Sequence, residues 1–116
     1  MGTIYAAIAI FGMTAIAGMY LLTLVFREKE TPKAVSLIHG LLAVTGLILL
    51  IVYCTGHDPA PVESITVFVI AALGGFVLIY KDLTGKIPKW LGVIHGLIAV
   101  TGFILLLVFA FGRQLF

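Results

Sequence analysis

Residues 32–56 read PKAVSLIHGLLAVTGLILLIVYCTG, and residues 88–112 read PKWLGVIHGLIAVTGFILLLVFAFG. Laid over one another at a shift of 56, fifteen of these 25 positions are identical. After the opening Pro-Lys, one histidine is the only acidic or basic residue in each copy. Uncharged stretches of this length match the ~20 apolar residues that cross ~30 Å of hydrocarbon. Backbone polar groups in lipid must pair internally, so such stretches read as helices.

Working outward, the charges of the chain cluster at 27–33, 57–63, 81–89 and 113. They leave four spans, Ile4–Phe26, Ala34–Thr55, Ser64–Tyr80 and Trp90–Gly112. With 62% hydrophobic and only 10% charged residues, the chain cannot cover a water-soluble surface, which usually needs about 25% charge. The expectation is an all-α bundle of four transmembrane helices, one membrane domain filling residues 1–116, with no soluble domain left over. The first span has no preceding Lys or Arg and is longer than the apolar region of a cleavable signal peptide.

The repeat organises the rest. Repeat 1 covers about 1–56 and repeat 2 about 57–112. At the same shift of 56, residues 2–26 match 58–82 only at Ala15/Ala71, Gly18/Gly74 and Leu22/Leu78. The second helix of each unit has been held while the first has drifted. Two helices per unit insert both units in the same direction, which relates them by a pseudo-two-fold axis along the membrane normal. Short connections favour an up-down-up-down antiparallel bundle with helices 2 and 4 on a diagonal. Pro32 and Pro88 stand at or just before helix starts, where a missing N–H costs nothing.

Charge placement gives the topology. Arg27, Lys29 and Lys33 lie in one connection and Lys81, Lys86 and Lys89 in another, against Arg113 alone on the other side. The excess of basic residues on one side assigns both loops to the cytoplasm and both termini outside. The expected location is an integral membrane protein of a bacterial inner membrane, in contact with the lipid bilayer.

His39 and His95 occupy equivalent places in the two I-H-G strings. Ionisable groups inside a membrane are costly, face the bundle interior, and carry function by default. Each lies six residues after Lys33 or Lys89, about 9 Å below the helix start. Two imidazoles at one depth on diagonal helices suit the two axial positions of one haem b. Gly18 and Gly74 fall near that depth and are expected to clear space for the ring edge. Gly40 and Gly96 are expected to relax crowding on the ligand helices. Lys33 and Lys89 are placed to pair with haem propionates. The pseudo-equivalence predicts that loss of either histidine has a similar effect.

The competing reading is structural. A membrane histidine can simply bond a carbonyl or a threonine, with Thr45 and Thr101 as candidates two turns away, and the glycines can serve close helix packing. Zinc or copper is poorly supplied by two histidines without carboxylate or thiolate partners. The lone Cys54 excludes an internal disulfide and reads as apolar filler, while His57, Asp58 and Glu63 read as a solvated turn. There is no phosphate loop, catalytic triad, carboxylate pair or nucleic-acid signature, so no nucleic-acid partner is expected.

Four helices with histidines matched across two of them resemble the membrane cytochromes b, the cytochrome b561 group being nearest in plan. The likeness is architectural rather than one of aligned motif. Cytochromes of that type commonly carry two haems on four or more histidines, whereas two membrane histidines here imply at most one bis-histidine haem. The resemblance implies an electron-transfer protein rather than a stand-alone enzyme, working with quinone, a larger respiratory complex or a second copy in a homodimer. The alternative is a non-haem accessory subunit, or a small transporter or channel, whose histidines are structural or relay protons.

The topology is checked by labelling single cysteines in a Cys54→Ser background. An impermeant reagent applied from outside should modify Ala60→Cys and spare Gly85→Cys. The reverse pattern would invert the assignment.

Overall fold

A computed structural model describes residues 1–115, with the side chains of 113–115 left out of the description. Four helices follow in order: α1 (Gly2–Phe26), α2 (Lys33–Gly56), α3 (Val62–Thr84) and α4 (Lys89–Leu115). All four are long and apolar enough to cross a membrane. The bundle's longest extent is 44 Å, more than the ~30 Å of hydrocarbon to be crossed.

The helix ends follow from local chemistry. Pro32 caps α2 in extended backbone, and Pro88 directly precedes α4. Neither proline position asks for an N–H, and both offer carbonyls to the first turn: Pro32 to Ser36, Pro88 to Leu91 and Gly92. α1 stops in a Schellman turn, with Glu28 N–H donating to the Val25 carbonyl and Lys29 N–H to the Leu24 carbonyl. Glu28 holds the left-handed position of that turn at φ 56°, where glycine is the usual occupant.

Packing is heaviest within each repeat, α1 on α2 and α3 on α4, and α1–α4 and α2–α3 contacts close the square. The diagonals are thus α1–α3 and α2–α4, as the short loops require. On the α1–α3 diagonal, Phe11 and Phe68 stack with ring centroids 3.9 Å apart and planes 3° from parallel. Each ring lies on a glycine of the neighbouring helix. A Cβ at Gly46 would come within 2.8 Å of the Phe11 ring, and one at Gly102 within 3.0 Å of Phe68.

These contacts reveal a register that an ungapped shift of 56 hides. Gly46 and Gly102 are 56 apart, but the phenylalanines they receive are 57 apart. At a shift of 57, helices α1 and α3 share Ile8/Ile65, Phe11/Phe68, Ala15/Ala72, Gly18/Gly75 and Leu21/Leu78. The steps between them are three, four, three and three residues, which is one helical face. The first helices have therefore drifted less than they first suggest, and the second repeat is one residue shorter between these positions of its two helices. What is retained is the face turned to the partner.

Burial is uneven along the bundle axis. Ile4, Ala7, Phe11, Leu50, Tyr53, Phe68, Leu106 and Ala110 form one buried cluster, far from the basic loops. From Gly18, His39, Gly75 and His95 to the basic end, only Gly92 and the loop residue Thr31 are buried among the described residues. Burial is thus concentrated at the end away from the basic loops. A cavity of about 430 Å³ opens between the two basic loops, against Val25, Thr31, Asp82 and Ile87.

Crossed ion pairs bind the repeats at this basic end. Lys33 of repeat 1 pairs with Asp82 of repeat 2, which also accepts the Thr31 hydroxyl at 2.8 Å. Lys89 of repeat 2 lies 3.7 Å from Glu28 of repeat 1.

The glycine contacts are checked by Gly46→Ala and Gly40→Ala. A Cβ at Gly46 must displace the rigid Phe11 ring, an overpacking that costs ~1–3 kcal/mol. A Cβ at Gly40 meets nothing within 4 Å and should stabilise the helix by up to ~1 kcal/mol. Unfolding of the purified protein in mixed detergent should therefore move in opposite directions for the two variants.

Candidate functional site

His39 and His95 face each other across the α2–α4 diagonal, with ring centroids 6.2 Å apart and planes at 69°. They sit on the basic side of the Phe11–Phe68 stack. Both rings are half-buried.

The α1 helix builds the seat of His39. Its Nδ1 lies 2.9 Å from the Thr14 carbonyl oxygen. A carbonyl can only accept, so Nδ1 carries the proton and Nε2 holds the lone pair. One turn on, Gly18 leaves the notch that the ring fills. A Cβ there would stand 2.9 Å from His39 Cε1 and 3.4 Å from Nδ1.

His95 repeats this seat on α3. A Cβ at Gly75 would stand 3.3 Å from His95 Cε1, and one at Gly74 would stand 3.6 Å from its Nδ1. The Ala71 backbone lies against the His95 ring, and Ala71 answers to Thr14 at the shift of 57. His95 Nδ1 is buried and has no partner in full hydrogen-bond geometry.

Several expectations are corrected in detail. Gly18 and Gly74 line the site, but what they make room for is the imidazole itself, and Gly75 shares the role. Gly40 and Gly96 relieve no crowding within the chain, because a Cβ at either meets nothing within 4 Å. Lys33 and Lys89 lie against carboxylates of the opposite repeat, Asp82 and Glu28. Thr45 and Thr101 do not reach the histidines. Their hydroxyls donate to the Leu41 and Leu97 carbonyls of their own helices. A Cβ at Gly92 would stand 3.0 Å from Leu22 Cδ1, whereas one at Gly96 meets nothing within 4 Å.

The partners missed from the sequence are backbone groups and packing residues: the Thr14 and Ala71 carbonyls, Gly75 and the Phe11–Phe68 stack. The face of identities at the shift of 57 marks all but the carbonyls.

The donor set can be tested against a haem. Two metal–imidazole bonds of about 2.0–2.1 Å on one metal put ring centres roughly 6 Å apart, and the 6.2 Å separation of the pair matches that in length. Metal-bound histidines almost always donate their second ring N–H to a carbonyl or carboxylate, which is the arrangement of His39. Among the described residues no three His, Cys, Asp or Glu side chains converge, so a metal needing three protein ligands is not provided for. Two imidazoles and a tetrapyrrole together do make a complete set. The residues present fit.

No protein family, curated protein or solved structure matches this chain.

The seat is checked by Gly18→Leu against Gly12→Leu. The first must displace the His39 ring and break its bond to Thr14, whereas a Cβ at Gly12 meets nothing within 4 Å. Both should insert and stay monodisperse, and only Gly18→Leu should alter the His39 imidazole signals in an NMR spectrum of histidine-labelled protein.

Proposed function

We propose that this chain is a small membrane cytochrome b that holds one haem b between His39 and His95. The observation that carries the reading is the facing pair of imidazoles, 6.2 Å apart, one of them anchored through Nδ1 so that Nε2 is left to ligate. A haem bound there supplies one-electron chemistry.

The chain's own residues do the rest. His39 and His95 ligate from opposite helices, so the site joins the two repeats. The Thr14 carbonyl fixes the tautomer and orientation of His39. Gly18, Gly74 and Gly75 let the rings lie against the neighbouring backbones. The stacked Phe11 and Phe68 occupy the axis on the far side of the histidines and separate them from the opposite end. Lys33–Asp82 and Lys89–Glu28 hold the basic end together.

With the basic loops in the cytoplasm, electrons are exchanged at the cytoplasmic side. One haem near one face does not carry an electron across the whole membrane. A quinone, a larger respiratory complex or a second copy of the chain completes the path.

The second reading is a non-haem protein whose histidines are structural, and two observations favour it. His39 satisfies Nδ1 on a carbonyl without any cofactor, and 6.2 Å at 69° also lies within ordinary edge-to-face ring packing, ~4.5–7 Å. A proton path along the axis is less well supported, because the phenylalanine stack fills it.

The two readings separate in a dithionite-reduced minus oxidised spectrum of the purified protein. The haem reading expects the sharp bands of a low-spin haem b, slow and incomplete carbon monoxide binding, and loss of the spectrum in His39→Ala/His95→Ala without loss of insertion. A colourless wild-type protein after expression with ample haem would leave the structural reading.

A further inference from the structure

The two imidazoles are equivalent under the repeat, yet their surroundings are not. His39 donates from Nδ1 to the Thr14 carbonyl at 2.9 Å, whereas His95 Nδ1 is buried with no partner. The Gly18 notch grips His39 at three ring atoms, 2.9, 3.4 and 3.7 Å from the position of a Cβ. His95 lies further from its own notch, at 3.3 Å from Gly75 and 3.6 Å from Gly74. His39 is fixed in tautomer by a well-formed hydrogen bond, and His95 is held less tightly.

We infer that His39 is the fixed axial ligand and His95 the yielding one, so that a small neutral diatomic ligand binds the iron on the His95 side. This rests on the haem reading above. A ligating imidazole held by a carbonyl is oriented and made more basic, and losing such a partner typically weakens metal binding ~10–100-fold. Without a well-formed bond at Nδ1 the tautomer of neutral His95 is set less firmly than that of His39, and only one tautomer presents the Nε2 lone pair. The duplicated site is thereby divided into an anchor and a gate.

The test compares His39→Gly and His95→Gly, purified and probed with carbon monoxide. His95→Gly should retain haem, become five-coordinate, bind carbon monoxide rapidly and completely, and regain the six-coordinate spectrum with added imidazole. His39→Gly should retain roughly tenfold less haem through the same purification. Equal haem retention and equal carbon monoxide binding in the two variants would overturn the inequality while leaving the cytochrome reading intact. Absence of haem from the wild-type protein would instead remove the cytochrome reading, and the ligand assignment with it. Should either variant fail to fold, nitrogen-15 spectra of the haem-free wild-type chain decide the matter. His39 should show the Nδ1–H tautomer with a protected proton, and His95 a tautomer mixture. The same tautomer and protection at both rings would overturn the proposal.

Discussion

Hydrocarbon offers a polar ring no hydrogen bonds, so an imidazole inside a membrane bundle needs its partners and its space built from neighbouring helices. The rest of the architecture is arranged around that demand. α1 and α3 present a carbonyl and, one turn later, a glycine, so that the rings of α2 and α4 lie against backbone. The conserved face of the first helices, from Ile8/Ile65 to Leu21/Leu78, is the face that provides this. Without the notch at Gly18, His39 has neither room for its ring nor reach to Thr14.

Duplication turns one such seat into two that oppose each other. A single helical hairpin would bury one imidazole against one notch and leave its Nε2 facing nothing. Two hairpins inserted in parallel about a common axis bring the second rings together and stack Phe11 on Phe68 beside them. The stack sets the spacing of the diagonal on which the repeats meet. The opposite end then closes around Leu50, Tyr53, Leu106 and Ala110, while the end with the basic loops is held mainly by crossed ion pairs. Exposed pairs contribute little stability each, ~0–1 kcal/mol, so this end is the easier one to part.

Much of this was legible in the sequence. The four spans, the all-α bundle, the repeat and the matched depth of His39 and His95 all follow from hydropathy and one internal comparison. What escaped has physical causes. A one-residue change between helices displaces the register of α1 against α3, and an ungapped shift then aligns Gly18 with Gly74 and misses Gly75. Gly40 and Gly96 are identical in the repeats but lie in open space, and in a membrane protein both the lipid face and the interior are apolar, so hydropathy does not tell them apart. The acids that capture Lys33 and Lys89 are not equivalent under the repeat, so symmetry could not find them. Backbone carbonyls such as that of Thr14 carry no residue signature at all.

The central claim is that the two imidazoles share one iron, and electron paramagnetic resonance of the oxidised, purified protein tests it most directly. Two neutral imidazoles on one ferric haem give a low-spin signal, and planes near the observed 69° give its strongly anisotropic form rather than the rhombic form of parallel rings. That spectrum, lost when His39 and His95 are both replaced, is the expected result. A high-spin ferric signal, or a low-spin signal that survives the double replacement, would contradict the account.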